Sequence, residues 1–403
     1  MLDVSQRDRD LLRLGYPPED LQLLNAITIG QSVWEDFVVE QYLAQGGYIE
    51  DGHSQMKIIL GRPGAGKTHL LRRLIARARD LGYLSVLLRA SELRLQHIDA
   101  LYAAIASHVE MEDLAHRLAS RVVAEVGYDL EHVPPSTTFL TWVVHEHNRI
   151  DSLVKREIAE VLGAFFKRER IDPNFSLAFT QLASDILGTH PLAGEDRQLV
   201  LRWLRAHRLR AEELHRIHLA RPIDRLNARD MLHALADFVR QQGYGGLFVA
   251  IDEMEDLPCG RDPQRNRLKY GSVALADAYQ SLREMVDNLP SVAGLFIVLA
   301  GQPDFLELPR GSKSYDALWL RIQHEVISPW FNRFAQVVDL DRAVQANLAP
   351  EQVRELTQRL QGLGFRTCLP DDGTVQEILM SAGGDGLYRR LMTALLRDES
   401  RSE

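Results

Sequence analysis

Cysteine is scarce in this chain, because its 403 residues include only Cys259 and Cys368. Two cysteines so far apart make neither a disulfide framework nor a zinc site, which is typical of proteins from a reducing compartment. The sequence also lacks any apolar run approaching the ~18 residues of a membrane-spanning helix, and its charged first residues do not resemble a signal peptide. These absences predict a cytoplasmic protein with no membrane partner.

Positive charge is also in deficit, since 47 Lys and Arg residues stand against 56 Asp and Glu residues, a net charge of −9. The overall field repels phosphate backbones, so any contact with nucleic acid requires a local basic patch. Residues 197–225 form such a segment, with eight arginines against Glu212, Glu213 and Asp224. The segment either follows a nucleic-acid backbone or forms a solvated helix face.

A glycine-rich loop stands out against this background. An apolar run, Met56–Leu60, precedes it, and leucines at helical spacing follow it as far as Gly82. In such a loop, glycines allow backbone N–H groups to surround phosphate oxygens, Lys67 reaches the β- and γ-phosphates, and the Thr68 hydroxyl ligates Mg²⁺. We therefore predict that ATP binds the segment Gly61, Arg62, Pro63, Gly64, Ala65, Gly66, Lys67, Thr68 and His69. The alternative is an ordinary glycine-rich turn with an exposed lysine.

A pair of acids, Asp252 and Glu253, follows a second buried run, Leu247–Ile251. At the end of a strand, Asp252 would hold Mg²⁺ together with Thr68, and Glu253 would be the base that polarises the attacking water. The alternative is a solvated acidic turn. Lys67 and Asp252 are 252 − 67 = 185 residues apart, whereas a βαβ unit needs only on the order of 30 residues. This distance predicts a helical insertion, at about residues 101–225.

The remaining pattern alternates buried strands with helices, which predicts an α/β, three-layer P-loop NTPase fold with a parallel sheet. Ligands of such sheets bind at the carboxyl ends of the strands. We predict an N-terminal helical segment over 1–52, a P-loop core over 53–345 and a C-terminal helical lid over 346–403. The predicted strands are Met56–Leu60, Leu84–Leu88, Leu247–Ile251, Leu295–Leu299 and Gln336–Leu340, with a capping box at Ser32–Glu35 and an N-cap at Asn227.

These motifs resemble the AAA+ class of ATPases. The resemblance implies that Gln302 is the first sensor, although Asn, Thr or Ser is commoner there, and an ordinary strand-to-loop turn is the alternative. It also implies that Arg333, within Trp330–Phe334, is an arginine finger acting on a neighbouring subunit, with Arg321 in reserve. An exposed arginine between core aromatics is the alternative. Gly384–Arg390 resembles the lid turn of origin-recognition-like ATPases, which implies that Arg389, or else Arg390, touches the phosphates.

A narrower resemblance covers most of the chain and points to the bacterial P-loop ATPases of BREX-type phage-defence clusters. It is carried by Gly15-Tyr16-Pro17, Leu201–Arg205, Ala220–Pro222, Asn227, Tyr244–Gly246 and the Asp252-Glu253 strand. The resemblance implies an ATP- and Mg²⁺-dependent ATPase that forms a homo-oligomer and remodels or licenses a partner. That partner would be DNA or a DNA-bound protein, such as a helicase or methyltransferase of the defence cluster. A nucleotide-gated switch or a scaffold with little turnover is the alternative.

Overall fold

The computed structural model describes residues 4–169, 171–262, 267–322, 333–365, 367, 373 and 386–396. Its internal contacts divide the chain into two compact units. The sheet unit comprises Met1–Gln96 and Gly245–Glu403, and the helical unit comprises His97–Tyr244. The insertion predicted at about 101–225 falls inside the helical unit, which also takes in the helix Ala228–Gln241.

The sheet unit is built on a parallel five-stranded sheet of order β2-β3-β6-β1-β7 among the described residues. Each predicted strand is present, which confirms the α/β fold with a parallel sheet. A separate antiparallel pair, β4 and β5, is very short. The strands are β1 Gln55–Leu60, β2 Leu84–Arg89, β3 Leu247–Asp252, β4 Arg261–Asp262, β5 Arg267–Leu268, β6 Leu295–Gly301 and β7 Val337–Asp339.

The central strands β3 and β6 are buried along their whole length, which explains why their sequences are continuous apolar runs. Strand β1, in contrast, contains a charged residue, Lys57, whose side chain is fully buried. Its ammonium group donates to the Phe334 carbonyl at 2.6 Å and to the Ala335 carbonyl at 2.8 Å. A buried cation is tolerated here because these hydrogen bonds replace those to water, and they tie the chain entering β7 to the amino end of β1.

Helices make up most of the remaining described chain. The α-helices are α1 Gln6–Arg13, α2 Leu21–Ala26, α3 Ser32–Val38, α4 Lys67–Asp80, α5 Ile98–Ser107, α6 Met111–Glu125, α7 Phe139–Glu146, α8 Asp151–Glu169, α9 Pro173–Leu187, α10 Gly194–Leu204, α11 Ala211–Arg216, α12 Ala228–Gln241, α13 Asp256–Cys259, α14 Ser272–Asn288, α15 Asp304–Glu307, α16 Asp316–Ile322, α17 Leu340–Asn347, α18 Pro350–Gly362 and α19 Leu387–Leu395. Helices α5 to α12 form the helical unit. Within the described part of the chain, none of these helices combines the length and the apolar character needed to cross a bilayer.

Helix α4 follows the glycine-rich loop, as predicted, and its apolar side chains are buried against the sheet. Gly66 begins the helix in a left-handed conformation, and Gly82, at φ 80°, turns the chain after its end. Left-handed backbone is accessible to glycine without the steric cost that a Cβ imposes. The two glycines therefore fix where this helix starts and stops.

The predicted capping box at Ser32–Glu35 is wrong. Helix α3 has Gln31 as its N-cap residue, with no side-chain capping hydrogen bond. The Glu35 carboxylate is fully buried and accepts from Arg73 of α4 at 2.7 Å and 2.9 Å. A paired guanidinium compensates a buried carboxylate better than one backbone N–H does. Asn227 does occupy the N-cap of α12, but its side chain accepts from the Asp224 N–H at 2.8 Å instead of capping the helix.

The C-terminal residues belong to the sheet unit. Helices α18 and α19 occur where the sequence predicted helical stretches around Val353–Leu360 and Leu387–Leu396. The third predicted stretch, Val375–Met380, lies outside the described residues, as do Cys368, Gly384 and Asp385. Buried residues of α18 and α19 share a hydrophobic core with α4 and the sheet.

The basic segment 197–225 lies in the helical unit, where ion pairs engage most of its arginines. The pairs are Arg197 with Glu112 and Asp185, Arg202 and Arg210 with Glu213, Arg216 with Glu195 and Asp196, and Arg221 with Asp172. Carboxylates from neighbouring helices thus offset much of the local positive charge. This pairing supports the interpretation of the segment as a solvated helix face.

Candidate nucleotide-binding site

The glycine-rich loop and the acid pair meet at the carboxyl ends of β1 and β3. Thr68 Oγ1 donates to Asp252 Oδ2 at 2.6 Å, although 184 residues separate them. Lys67 Nζ donates to the Gly61 and Arg62 carbonyls at 2.7 Å and 3.2 Å. Lys67, Thr68, Asp252 and Glu253 all line one cavity of about 220 Å³ within the sheet unit.

The loop is held from both sides by side chains that its sequence motif does not include. Gln31 Nε2 donates to the Gly66 carbonyl at 3.1 Å, and a Cβ at position 66 would overlap this amide. On the other side, Asp341 Oδ2 accepts from the Arg62 N–H at 2.8 Å. Gly64 and Gly66 both have left-handed φ angles, 83° and 91°, so this loop conformation favours glycine at both positions.

Asp252 is only 6 % exposed, and this burial raises the pKa of its carboxyl group. Hydrogen bonds from Thr68 and from the Glu253 N–H, the latter at 2.9 Å, act in the opposite direction by stabilising the carboxylate. A hydroxyl and a carboxylate oxygen are the hard donors that Mg²⁺ prefers, and Mg²⁺ sites of this kind are completed by substrate phosphates and water. The pair Thr68 and Asp252 therefore fits the predicted metal role.

Glu253 follows Asp252 with a φ of 63°, a left-handed conformation that is uncommon for residues other than glycine. Its carboxylate lines the cavity and accepts a short hydrogen bond from the Ser91 hydroxyl. Ser91 lies in the short helical turn Ala90–Glu92 directly after β2, at the same edge of the sheet. Sequence reasoning missed Ser91, since only the pairing of β2 with β3 brings it to the site.

Burial lowers the pKa of the Lys67 ammonium group, and the carboxylates of Glu255 and Asp252 oppose this effect. A partly desolvated ammonium group attracts an anion more strongly than a fully hydrated one does, because less water screens the two charges. Lys67 is thus placed to neutralise phosphate charge in the cavity.

Gln302 also lines the cavity, at the carboxyl end of β6. Its side-chain amide donates to Glu255 Oε1 at 2.7 Å, and its backbone N–H donates to Glu255 Oε2 at 3.0 Å. Glu255 is a third acid at the site and was not among the predicted site residues. The sequence feature that could have identified Glu255 is its position three residues after Asp252, in the same acidic turn.

The first turn of α19 rests directly on the glycine-rich loop. The Gly386 N–H donates to the Pro63 carbonyl at 2.6 Å, and the Arg389 N–H donates to the Gly64 carbonyl at 3.0 Å. Of the two adjacent arginines, Arg389 lines the cavity, and its guanidinium lies 4.9 Å from the centre of the Tyr16 ring. The N-terminal segment, which contains Gly15 and Tyr16, therefore borders the same cavity as α19.

His69 was predicted to bind the nucleotide as part of the loop. Its side chain is 4 % exposed, and Nε2 lies 2.7 Å from the Thr28 hydroxyl. Burial and the neighbouring Arg73 and Arg72 lower the pKa of the imidazole to about 3, so the ring is neutral at physiological pH. His69 also lines the cavity, but its imidazole is held by Thr28 of the N-terminal segment, so contact of His69 with a nucleotide stays a prediction.

Arg333 lies apart from the cavity that most of the other predicted residues line; Gly61, Arg62 and Ala65 are not among its lining residues either. It precedes β7, which runs parallel to β1, so it stands at the amino end of the sheet while the cavity is at the carboxyl end. Its guanidinium is exposed and lies 5.5 Å from the centre of the Phe37 ring. Arg321, the reserve candidate, is paired with Asp287 at 2.7 Å. Trp330, Phe331 and Asn332 lie outside the described residues.

Taken together, the parallel sheet, the glycine-rich loop opening α4 and the acid pair facing it define a P-loop nucleotide-binding protein. The family model described as BREX system ATP-binding protein BrxC/D matches residues 12–376. The chain belongs to this family of ATP-binding proteins. No curated protein and no solved structure matches the sequence.

Proposed function

We propose that this protein hydrolyses ATP with Mg²⁺ and acts in BREX-type defence against phage. The observation that carries the proposal is the 2.6 Å hydrogen bond between Thr68 and Asp252, which unites two motifs far apart in the sequence. Membership of the BREX ATP-binding family supports both the nucleotide and the biological setting.

The residues around the cavity divide the chemistry among them. Lys67 neutralises the β- and γ-phosphates, and Thr68 and Asp252 would hold Mg²⁺, which would offset phosphate charge. Glu253 accepts the hydrogen bond of the attacking water once its carboxylate is released from Ser91. Arg389 contributes positive charge from the lid.

We further propose an AAA+-like cycle in a homo-oligomer, in which Arg333 completes the site of a neighbouring copy. The exposed position of Arg333, remote from the cavity of its own chain, supports this assignment. The work of the cycle is to remodel or license a DNA-associated partner, such as a helicase or methyltransferase of the defence cluster.

The test is the ATPase rate per subunit measured against protein concentration, with and without DNA at stated salt. We expect the rate to rise with concentration because an arginine supplied by a neighbour is available only after assembly. An effect of DNA that weakens steeply with salt would indicate phosphate contacts. No turnover at any concentration, with Mg·ATP bound, would contradict hydrolysis as the function.

A second candidate function is a nucleotide-gated switch with little turnover. The specific observation in its favour is that lid residues Gly386 and Arg389 hydrogen-bond to the loop that would bind phosphates. A nucleotide that altered this loop would thereby act on the lid. If Mg·ATP and Mg·AMP-PNP drive assembly equally, and ATP hydrolysis is much slower than assembly, the result would favour the switch over the ATPase cycle.

A further inference from the structure

Glu255 has contacts that distinguish it from the other acids of the turn after β3. Both of its carboxylate oxygens accept from one residue: Oε2 from the Gln302 backbone N–H at 3.0 Å, and Oε1 from its side-chain Nε2 at 2.7 Å. Glu255 and Gln302 both line the cavity. The neighbouring backbone strengthens this link, since the Met254 N–H donates to the Ala300 carbonyl at 3.0 Å.

This contact determines which way the Gln302 amide faces. A carboxylate accepts hydrogen bonds and cannot donate one, so it binds the nitrogen end of the amide and excludes the oxygen end. The amide oxygen and the second hydrogen on Nε2 then remain for other partners. A glutamine without such an anchor would rotate between two orientations of nearly equal shape.

Glu253 also lines the cavity, but its carboxylate accepts from Ser91. Of these two acids, Glu255 is therefore the one that holds Gln302.

We propose that Glu255 is a positioning residue, which holds the Gln302 amide in the one orientation that recognises the terminal phosphate of bound ATP. This inference rests on the proposed function in assuming that nucleotide binds in this cavity. On this proposal, Glu255 and Gln302 together discriminate ATP from ADP. Binding measurements detect such discrimination even if the protein does not hydrolyse ATP.

The test compares dissociation constants for Mg·AMP-PNP and Mg·ADP in the full chain. The variants are Glu255→Gln, Glu255→Asp, Gln302→Ala and the double variant Glu255→Gln with Gln302→Ala. Glu307→Gln is the matched control, because Glu307 follows β6, as Gln302 does, but is exposed, lies outside the cavity lining and pairs with Lys313. Thermal unfolding of each variant shows whether it is folded. Glu255→Asp keeps the charge and shortens the side chain, so it separates the loss of charge from the loss of reach.

We expect each single variant at 255 or 302 to lower the preference for Mg·AMP-PNP over Mg·ADP, the ratio of the two dissociation constants, about tenfold, the scale of one hydrogen bond to a charged group. This ratio cancels any effect of Glu255 on Lys67 that both nucleotides share. The double variant should lower the ratio no further than Gln302→Ala alone, because Glu255 acts on the terminal phosphate through Gln302. Equal losses for both nucleotides, additive losses or no loss would overturn the proposal. A parent protein that shows this discrimination without hydrolysis would refute the ATPase function and leave the role of Glu255 standing. Absence of nucleotide binding would refute both.

Discussion

At the scale of single residues, the contact between Glu253 and Ser91 is a restraint on the predicted base. The hydrogen bond from the Ser91 hydroxyl fixes one oxygen of the Glu253 carboxylate and occupies one of its acceptor sites, so the carboxylate is less free to turn toward a water. We predict that Ser91→Ala raises the ATPase rate about threefold, corresponding to the loss of a hydrogen bond of ~0.7 kcal/mol. Steady-state turnover at saturating Mg·ATP measures the effect.

The matched comparison is Glu253→Gln, which should bind Mg·ATP like the parent and lose at least about a hundredfold in turnover, the scale of general-base catalysis. Adding Ser91→Ala to Glu253→Gln should give no further change, because the restraint acts only on that carboxylate. Undiminished turnover by Glu253→Gln would remove Glu253 from the mechanism.

His69 makes stability depend on pH. The folded-state pKa of about 3 lies below the unfolded value of ~6.5, so protons bind preferentially to the unfolded chain as the pH falls below ~6.5. We predict that lowering the pH from 7 to 5 decreases the free energy of unfolding of the parent by about 2 kcal/mol more than that of His69→Gln. Urea unfolding at both pH values measures the difference. Parallel pH profiles for the two proteins would show that this imidazole titrates equally in both states.

The predicted residues that the structure brings together are those whose position is fixed by local backbone chemistry. Lys67 and Thr68 must follow the glycine turn, and Asp252 must end a buried strand. Glu255, Ser91 and Gln31 were missed because their importance depends on which loops meet in space. The capping box at Ser32–Glu35 failed for the same reason, since α4 brings Arg73 to Glu35.

At the scale of elements, buried parallel strands were predictable because strands covered on both faces must be apolar throughout. The order of the strands in the sheet was not predictable, because no feature of the β6 sequence indicates that this strand lies between β1 and β3. Lys57 shows why residue type alone does not predict burial. Its ammonium group can be buried because it donates hydrogen bonds to the carbonyls just before β7.

The junction of α19 with the glycine-rich loop gives a prediction about close backbone approach. A Cβ at Gly386 would overlap the backbone nitrogen of Ala65, so Gly386→Ala must displace α19 from the loop. We predict about tenfold weaker nucleotide binding and a lower unfolding temperature, because overpacking typically costs 1–3 kcal/mol. Titration with a fluorescent ATP analogue and a thermal melt measure both effects.

Gly362→Ala is the control for this experiment, since a Cβ at Gly362 would meet no atom within 4 Å. It should bind nucleotide like the parent, and the removal of a flexible glycine at the end of α18 should leave its stability equal or slightly higher. Similar losses in both variants would mean that the C-terminal helices respond to any added bulk, independently of the loop.

At the scale of the whole molecule, the long interval between the two motifs is accounted for by a compact helical unit, His97–Tyr244, that interrupts the sheet unit in sequence. The sequence predicted its existence from the missing strands. Its limits were harder to predict, because α12 has the same amphipathic pattern as the helices before it and only its contacts assign it to the helical unit.

The proposed oligomer permits a test in which two inactive proteins restore each other. Lys67→Ala lacks phosphate binding but keeps Arg333, whereas Arg333→Ala keeps its own site but cannot complete a neighbour's. If Arg333 acts between copies, an equal mixture should recover about a quarter of the parent rate, since random pairing in a head-to-tail assembly makes one interface in four complete. ATPase assays of the mixture measure this recovery.

The control replaces the Lys67→Ala partner with the double variant Lys67→Ala, Arg333→Ala, which supplies no arginine and should restore nothing. Recovery should also vanish on dilution, in step with the loss of assembly seen by light scattering. If mixed oligomers form and no activity returns, Arg333 does not complete a neighbouring site. The exposed arginine beside Phe37 would then be a surface residue held by aromatic packing.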